Sequence, residues 1–193
     1  GASAAPTGVS TPVSGARVWV KVSPDAESQL TKYATEVGKV WAELPGIFTY
    51  PEPDQPGHPT IAVNPDSAID FYFVDASDLD PRVPFCVDHP EAENCRFGGG
   101  RDGYAQRAPA FHGNASSGYL VVDRLVWGDN LLDTIAHELT HAAQFAYDKN
   151  ETSWLMESTA TWSAYRVLKE MDKWPLYAYN ASKAFLQRDW LKE

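Results

Sequence analysis

From Arg17 to Val22 the chain reads RVWVKV, apolar and polar residues in alternation, the period of a half-buried strand. Between Ser28 and Leu44 the period changes. Leu30, Tyr33, Ala34, Val37, Val40, Trp41 and Leu44 form a helical stripe, and Pro45-Gly46 ends it. Residues 45–60 hold five prolines and two glycines and read as a loop. IDFYFV, 69–74, is rich in aromatic and β-branched residues and predicts a second strand; GYLVVD, 118–123, predicts a third. Residues 75–117, with many turn formers and the run Phe97-Gly-Gly-Gly-Arg101, read as one long irregular excursion. After the third strand, Asp129 or Asn130 can cap a helix running to about Tyr147, with Asp133 near its third position, where a carboxylate favours the helix dipole. A turn at Asp148-Lys-Asn leads to a helix from about Ser153 to Lys173, and Pro175 allows a short further one.

The first sixteen residues, GASAAPTGVSTPVSGA, carry no core-forming pattern and begin without Met. They read as the flexible lead (1–16) of a processed or recombinant chain, with 17–193 as one domain. No signal peptide is visible, so export rests on inference. A length of 193 residues suits a single core of useful size, and no internal repeat divides it. The formal charge of −10 argues against nucleic acid as a partner, because phosphate binding needs clustered Lys and Arg. No apolar run is long enough to span a bilayer. Oligomeric state is not legible.

The chemistry concentrates in HELTHAAQFAYDKNETSWLMESTATW, 137–162. On a helix, His137 and His141 lie one turn apart on one face and can bind one metal ion from the same side. Glu138 lies about 100° around the helix, badly placed as a ligand but able to reach a water activated by the ion, so it suits the general base of metal-assisted hydrolysis. A catalytic zinc site needs a third protein ligand and an open position. Glu157, on the next helix across a short turn, is the best candidate; His58, His89 and His112 lie in upstream loops with no spacing that demands them. The bland alternative is a helix pair carrying structural histidines and a solvated Glu157. The joint spacing of all four residues favours one zinc ion per chain.

Cys86 and Cys95 enclose eight residues of polar, Pro-bearing chain. A disulfide would close this short loop and contribute roughly 2.5–3 kcal/mol. Two reduced thiols, or two metal ligands helped by His89, are the rival readings. Spacing and compartment favour the disulfide, which would point to an oxidising environment and a secreted protein. Asp75, Asp78 and Asp80, and separately Asp88, Glu91 and Glu93, could bind calcium, though solvated acidic loops explain them as well and neither cluster has EF-hand spacing.

HELTHA followed by a helix-borne glutamate resembles the gluzincin metallopeptidases, the group that includes thermolysin. HELTHAAQFAYD…WLMESTATW is similar to the HExxHxxQ…WxxExxAxW pattern of a set of secreted bacterial zinc peptidases, over residues 118–166. The resemblance implies an α+β, zincin-like fold, in which a small twisted mixed sheet packs on the HExxH helix and the helix with the third ligand follows. It implies zinc on His137, His141 and Glu157, Glu138 as general base, and a peptide or protein substrate. It also implies that the strand before the active helix, beginning Gly118-Tyr119, pairs with an extended substrate. Asn114-Ala115 resembles the edge-strand contact of the thermolysin group. Three departures stand out. Thr161 occupies the place where thermolysin-like enzymes carry an Asp that orients a zinc-bound His. No histidine follows His141, so the oxyanion would need another donor. Tyr165, Tyr177 and Tyr179 are candidates, Tyr165 first because it shares a helix with Glu157. The chain also ends 36 residues after Glu157, without the helical domain that walls the thermolysin cleft. The expected function is a secreted zinc endopeptidase. The alternatives are a zincin-like binding module of weak or absent activity within a larger surface protein, and a zinc hydrolase of a non-protein amide.

Overall fold

The computed structural model describes residues 8–53, 67–74, 102–107 and 113–171. Strands β1 (Gly8–Val13) and β2 (Ala16–Lys21) form a hairpin, and helix α1 (Ala26–Glu43) ends in a single 3-10 turn, Leu44–Gly46. Strands β3 (Ile69–Val74), β4 (Gly103–Arg107) and β5 (Gly118–Asp123) follow, then helices α2 (Asp129–Asp148) and α3 (Ser153–Glu170). This is an α+β arrangement with a small mixed sheet in the order β1-β2-β3-β5-β4. The central strands β2, β3 and β5 run parallel, and the two outer strands, β1 and β4, run antiparallel to their neighbours.

The period-2 strands put alternate residues on opposite faces. Val18, Val20, Phe71, Phe73, Leu120 and Val122 join the buried stripes of the helices in one core, including Val37 and Val40 of α1, Ile135 and Leu139 of α2, and Ala164 and Val167 of α3. Tyr33 of α1 stacks on Phe73 at 3.9 Å between ring centroids. This core fixes α2 and α3 against the sheet.

Two expectations fail at the N-terminus and at the β4 segment. Residues 8–13 are a strand rather than part of a flexible lead over 1–16, because a two-residue turn with positive φ at both Ser14 and Gly15 folds them back onto β2. A Cβ on Gly15 would lie 2.8 Å from the Trp41 ring, so the turn needs glycine. Pro12 is tolerated because β1 is an edge strand. Residues 103–107 are likewise a strand, inside the stretch expected to be irregular. At the start of α2, Gly128 with φ 62° occupies the cap position, and neither Asp129 nor Asn130 caps the helix. Cys86 and Cys95, His58, His89 and His112, both acidic clusters, Tyr177 and Tyr179 lie outside the described residues. Among the described residues, no helix is long and apolar enough to cross a membrane.

Candidate metal centre

Helices α2 and α3 form an antiparallel hairpin. Contacts that move back along α2, from Gln144 to Thr140, move forward along α3, from Met156 to Ser163. The turn between them is four residues long, 149–152. Thr140 Oγ1 donates to Ala136 O and accepts from Ser163 Oγ, the latter at 2.9 Å, in the buried seam. Small residues at Ala160, Ser163 and Ala164 let the helices approach closely.

That approach brings the predicted ligands together. His137 Nε2 lies 3.2 Å from Glu157 Oε2, His141 Nε2 3.5 Å from Glu157 Oε1, and the two Nε2 atoms are 3.1 Å apart. The three groups are close enough to hold one metal ion. Zinc–ligand distances of 2.0–2.1 Å in a tetrahedron require ligand atoms about 3.3 Å apart. The two imidazole nitrogens, and each imidazole with its nearer Glu157 oxygen, stand close to that value, though with one atom from each residue the set spreads over as much as 4.8 Å; two imidazoles with one carboxylate suit zinc chemically. Hydrogen bonds from His137 and His141 hold the Glu157 carboxyl far below the usual carboxylate range. Glu157 remains well exposed, its side chain at 65%, so the mouth of the site faces solvent.

Glu138 points elsewhere. It is buried and lies between α2 and β4, with the Ala105 backbone amide a minor influence favouring its charged form. Burial raises its pKa, Glu157 adds to that rise, and His137 and His141 oppose it. Gly103 makes this packing possible, since a Cβ there would sit 2.7 Å from Thr134 Cγ2 and 3.2 Å from Glu138 Cγ.

The residues expected to contact substrate are not brought to the centre. Gly118 and Tyr119 belong to an interior strand whose two edges are taken by β3 and β4, so β5 cannot pair with a peptide. Asn114 is fastened to the α2–α3 turn, its carbonyl accepting from Lys149 N at 3.0 Å and its Oδ1 from Asn150 Nδ2 at 3.3 Å. Lys149 is two helical turns past His141, about 12 Å of rise, and Ala115 stays beside Asn114 at that far end. Tyr165 is partly buried and also lies about 12 Å along α3 from Glu157. Trp154 and Trp162, which flank Glu157 on α3, are 77% and 50% exposed.

Gln144 is the Gln of the HExxHxxQ pattern and stands one turn after His141 on the same helix face, but the sequence alone assigns it no role. Its Oε1 accepts from His141 Nδ1 at 2.8 Å, and its Nε2 donates to Met156 O and Thr159 Oγ1 across the hairpin. Thr161 makes no hydrogen bond to either histidine among the described residues.

No family model, curated protein or solved structure matches the chain.

Proposed function

We propose that this chain is a zinc-dependent peptidase domain that cleaves extended peptide segments. The observation that carries the reading is the convergence of His137, His141 and Glu157 within 4.8 Å, with Glu138 beside them on the same helix and not among them. Zinc, when bound, would polarise the scissile carbonyl and acidify the attacking water. His137 and His141 would hold it from α2 and Glu157 from α3. Glu138 would accept the proton of the water and pass it to the leaving amine. Burial lifts its pKa toward the range in which a carboxylate both takes and returns a proton.

The strand that fits an extended substrate is β4, not β5. Asp102 O accepts from Asp123 N at the start of the β4–β5 ladder. Bonded residues alternate in an antiparallel ladder, so Gly103, Ala105 and Arg107 turn their backbone groups away from β5. Among the described residues no strand pairs with this outer edge. A peptide added there would lie alongside Glu138, with its main chain fixed by hydrogen bonds.

The test is zinc content by mass spectrometry together with casein cleavage, with and without a chelator. The reading expects about one zinc per chain and cleavage abolished by the chelator and restored by zinc. Full zinc loading without cleavage of any peptide would overturn it in favour of a binding module.

A further inference from the structure

We infer that Gln144 is a positioning residue that fixes the tautomer of His141 and the register of the helix bearing Glu157, so that one side-chain amide prepares both ligands. The inference rests on the zinc reading for its consequence, but its first observable needs no metal.

Met156 sets the orientation of the Gln144 amide. A backbone carbonyl can only accept a hydrogen bond. Met156 O is 3.1 Å from one end of the Gln144 amide, so that end must be the NH2 group. The other orientation would set two carbonyl oxygens against each other. The amide oxygen is therefore the end that faces His141 Nδ1 at 2.8 Å. An amide oxygen cannot donate, so Nδ1 must carry the proton. Neutral imidazole has one N–H, so in the neutral ring Nε2 keeps its lone pair on the side of His137 and Glu157, and the hydrogen bond to Glu157 belongs to the doubly protonated ring. The proton position at the metal centre is thus set from a backbone carbonyl on the other helix.

The same amide acts on the third ligand. Met156 immediately precedes Glu157, and Thr159, which shares the Gln144 NH2 group, is bonded in turn to Leu155 O. Gln144 clamps the turn of α3 from which Glu157 projects. Glu157 itself is exposed, so little packing on its own side chain holds it in place. The bridge is half-buried and every polar atom of the amide is used, which favours a single geometry.

The test compares wild type, Gln144→Leu and Gln144→Glu. Nitrogen-15 NMR of the histidine rings in the metal-free protein at about pH 9, above the ordinary histidine range, reads the tautomer directly. Wild type should show His141 protonated at Nδ1. Gln144→Leu should lose this preference and, in a chelator competition, bind zinc about 10–100-fold more weakly, the usual effect of losing such a partner. Gln144→Glu still accepts from Nδ1, so it should keep the tautomer. It loses the donor to Met156 O, so its zinc affinity should also fall. A protein in which Gln144→Leu leaves the Nδ1–H signal unchanged overturns the inference, as does loss of that signal in Gln144→Glu. If both variants bind zinc within twofold of wild type, the positioning role is also overturned. A wild type that shows the tautomer but binds no zinc at all would instead contradict the proposed function. Circular dichroism of each variant confirms that the helices persist, and if Gln144→Leu does not fold, Gln144→Glu still decides the tautomer.

Discussion

Glu157 Oε2 lies 3.2 Å from His137 Nε2, although twenty residues and a helix reversal separate the two in the chain. A surface carboxylate at 65% exposure gains little from an ordinary ion pair. Here it meets two imidazole nitrogens that also face each other, which is the arrangement of a ligand set. Glu157→Ala should therefore weaken zinc binding by more than the roughly 100-fold that loss of an outer partner causes. His58→Ala, His89→Ala and His112→Ala should leave it unchanged. Competition with a chromophoric chelator measures all four.

Gly103→Ala tests the contact between β4 and the active helix. The new methyl would lie 2.7 Å from Thr134 Cγ2, 3.1 Å from Val121 O and 3.2 Å from Glu138 Cγ. The backbone oxygen cannot move cheaply, so the strain should fall on the side chains of α2. The expected cost is about 1–3 kcal/mol of stability, as for overpacking elsewhere. Peptide cleavage should fall while zinc affinity holds, because Glu138 is displaced and the ligands are not. Denaturant melts and zinc titration on the same variant check this.

Asp133 contributes a pH dependence of known sign. Burial, with Asp102 adding and His137 opposing, raises its pKa from 3.8 to about 6. The folded state therefore disfavours the ionised form. The cost is fully present above about pH 6, shrinks as the pH falls through that value and is gone below 3.8. Asp133→Asn should stabilise the metal-free protein by roughly 1–2 kcal/mol at pH 8, after allowance for partial solvent screening. The gain should disappear as the pH approaches 4. Thermal melts across that range measure it.

The elements legible in the sequence were those with long, clean periods. The stripe from Leu30 to Leu44, the apolar runs at 69–74 and 118–123, and the two helices around HELTH are all present. Their ligands could be read because helix geometry turns sequence spacing into direction. The two antiparallel edge strands were not legible. GVSTPV carries a proline and only weak alternation, and GYAQR is five residues in a glycine-rich stretch. Both acquire their structure from pairing with neighbours, which a local period does not encode. That gap had a functional consequence, since it assigned the substrate edge to Gly118-Tyr119 when β4 covers that strand. Gln144 was hidden for a related reason. Its partners lie twelve and fifteen residues downstream, across a turn whose geometry spacing alone does not give.

On the proposed function, Glu138 serves the chemistry and not the ion. Glu138→Gln keeps the size and hydrogen-bonding capacity of the side chain, but it cannot take a proton from water. The decisive measurement is zinc affinity and peptide cleavage on this one variant, beside the wild type. Zinc affinity should be unchanged and cleavage slowed at least ~100-fold, the lower end of general-base effects. Cleavage at the wild-type rate would contradict it.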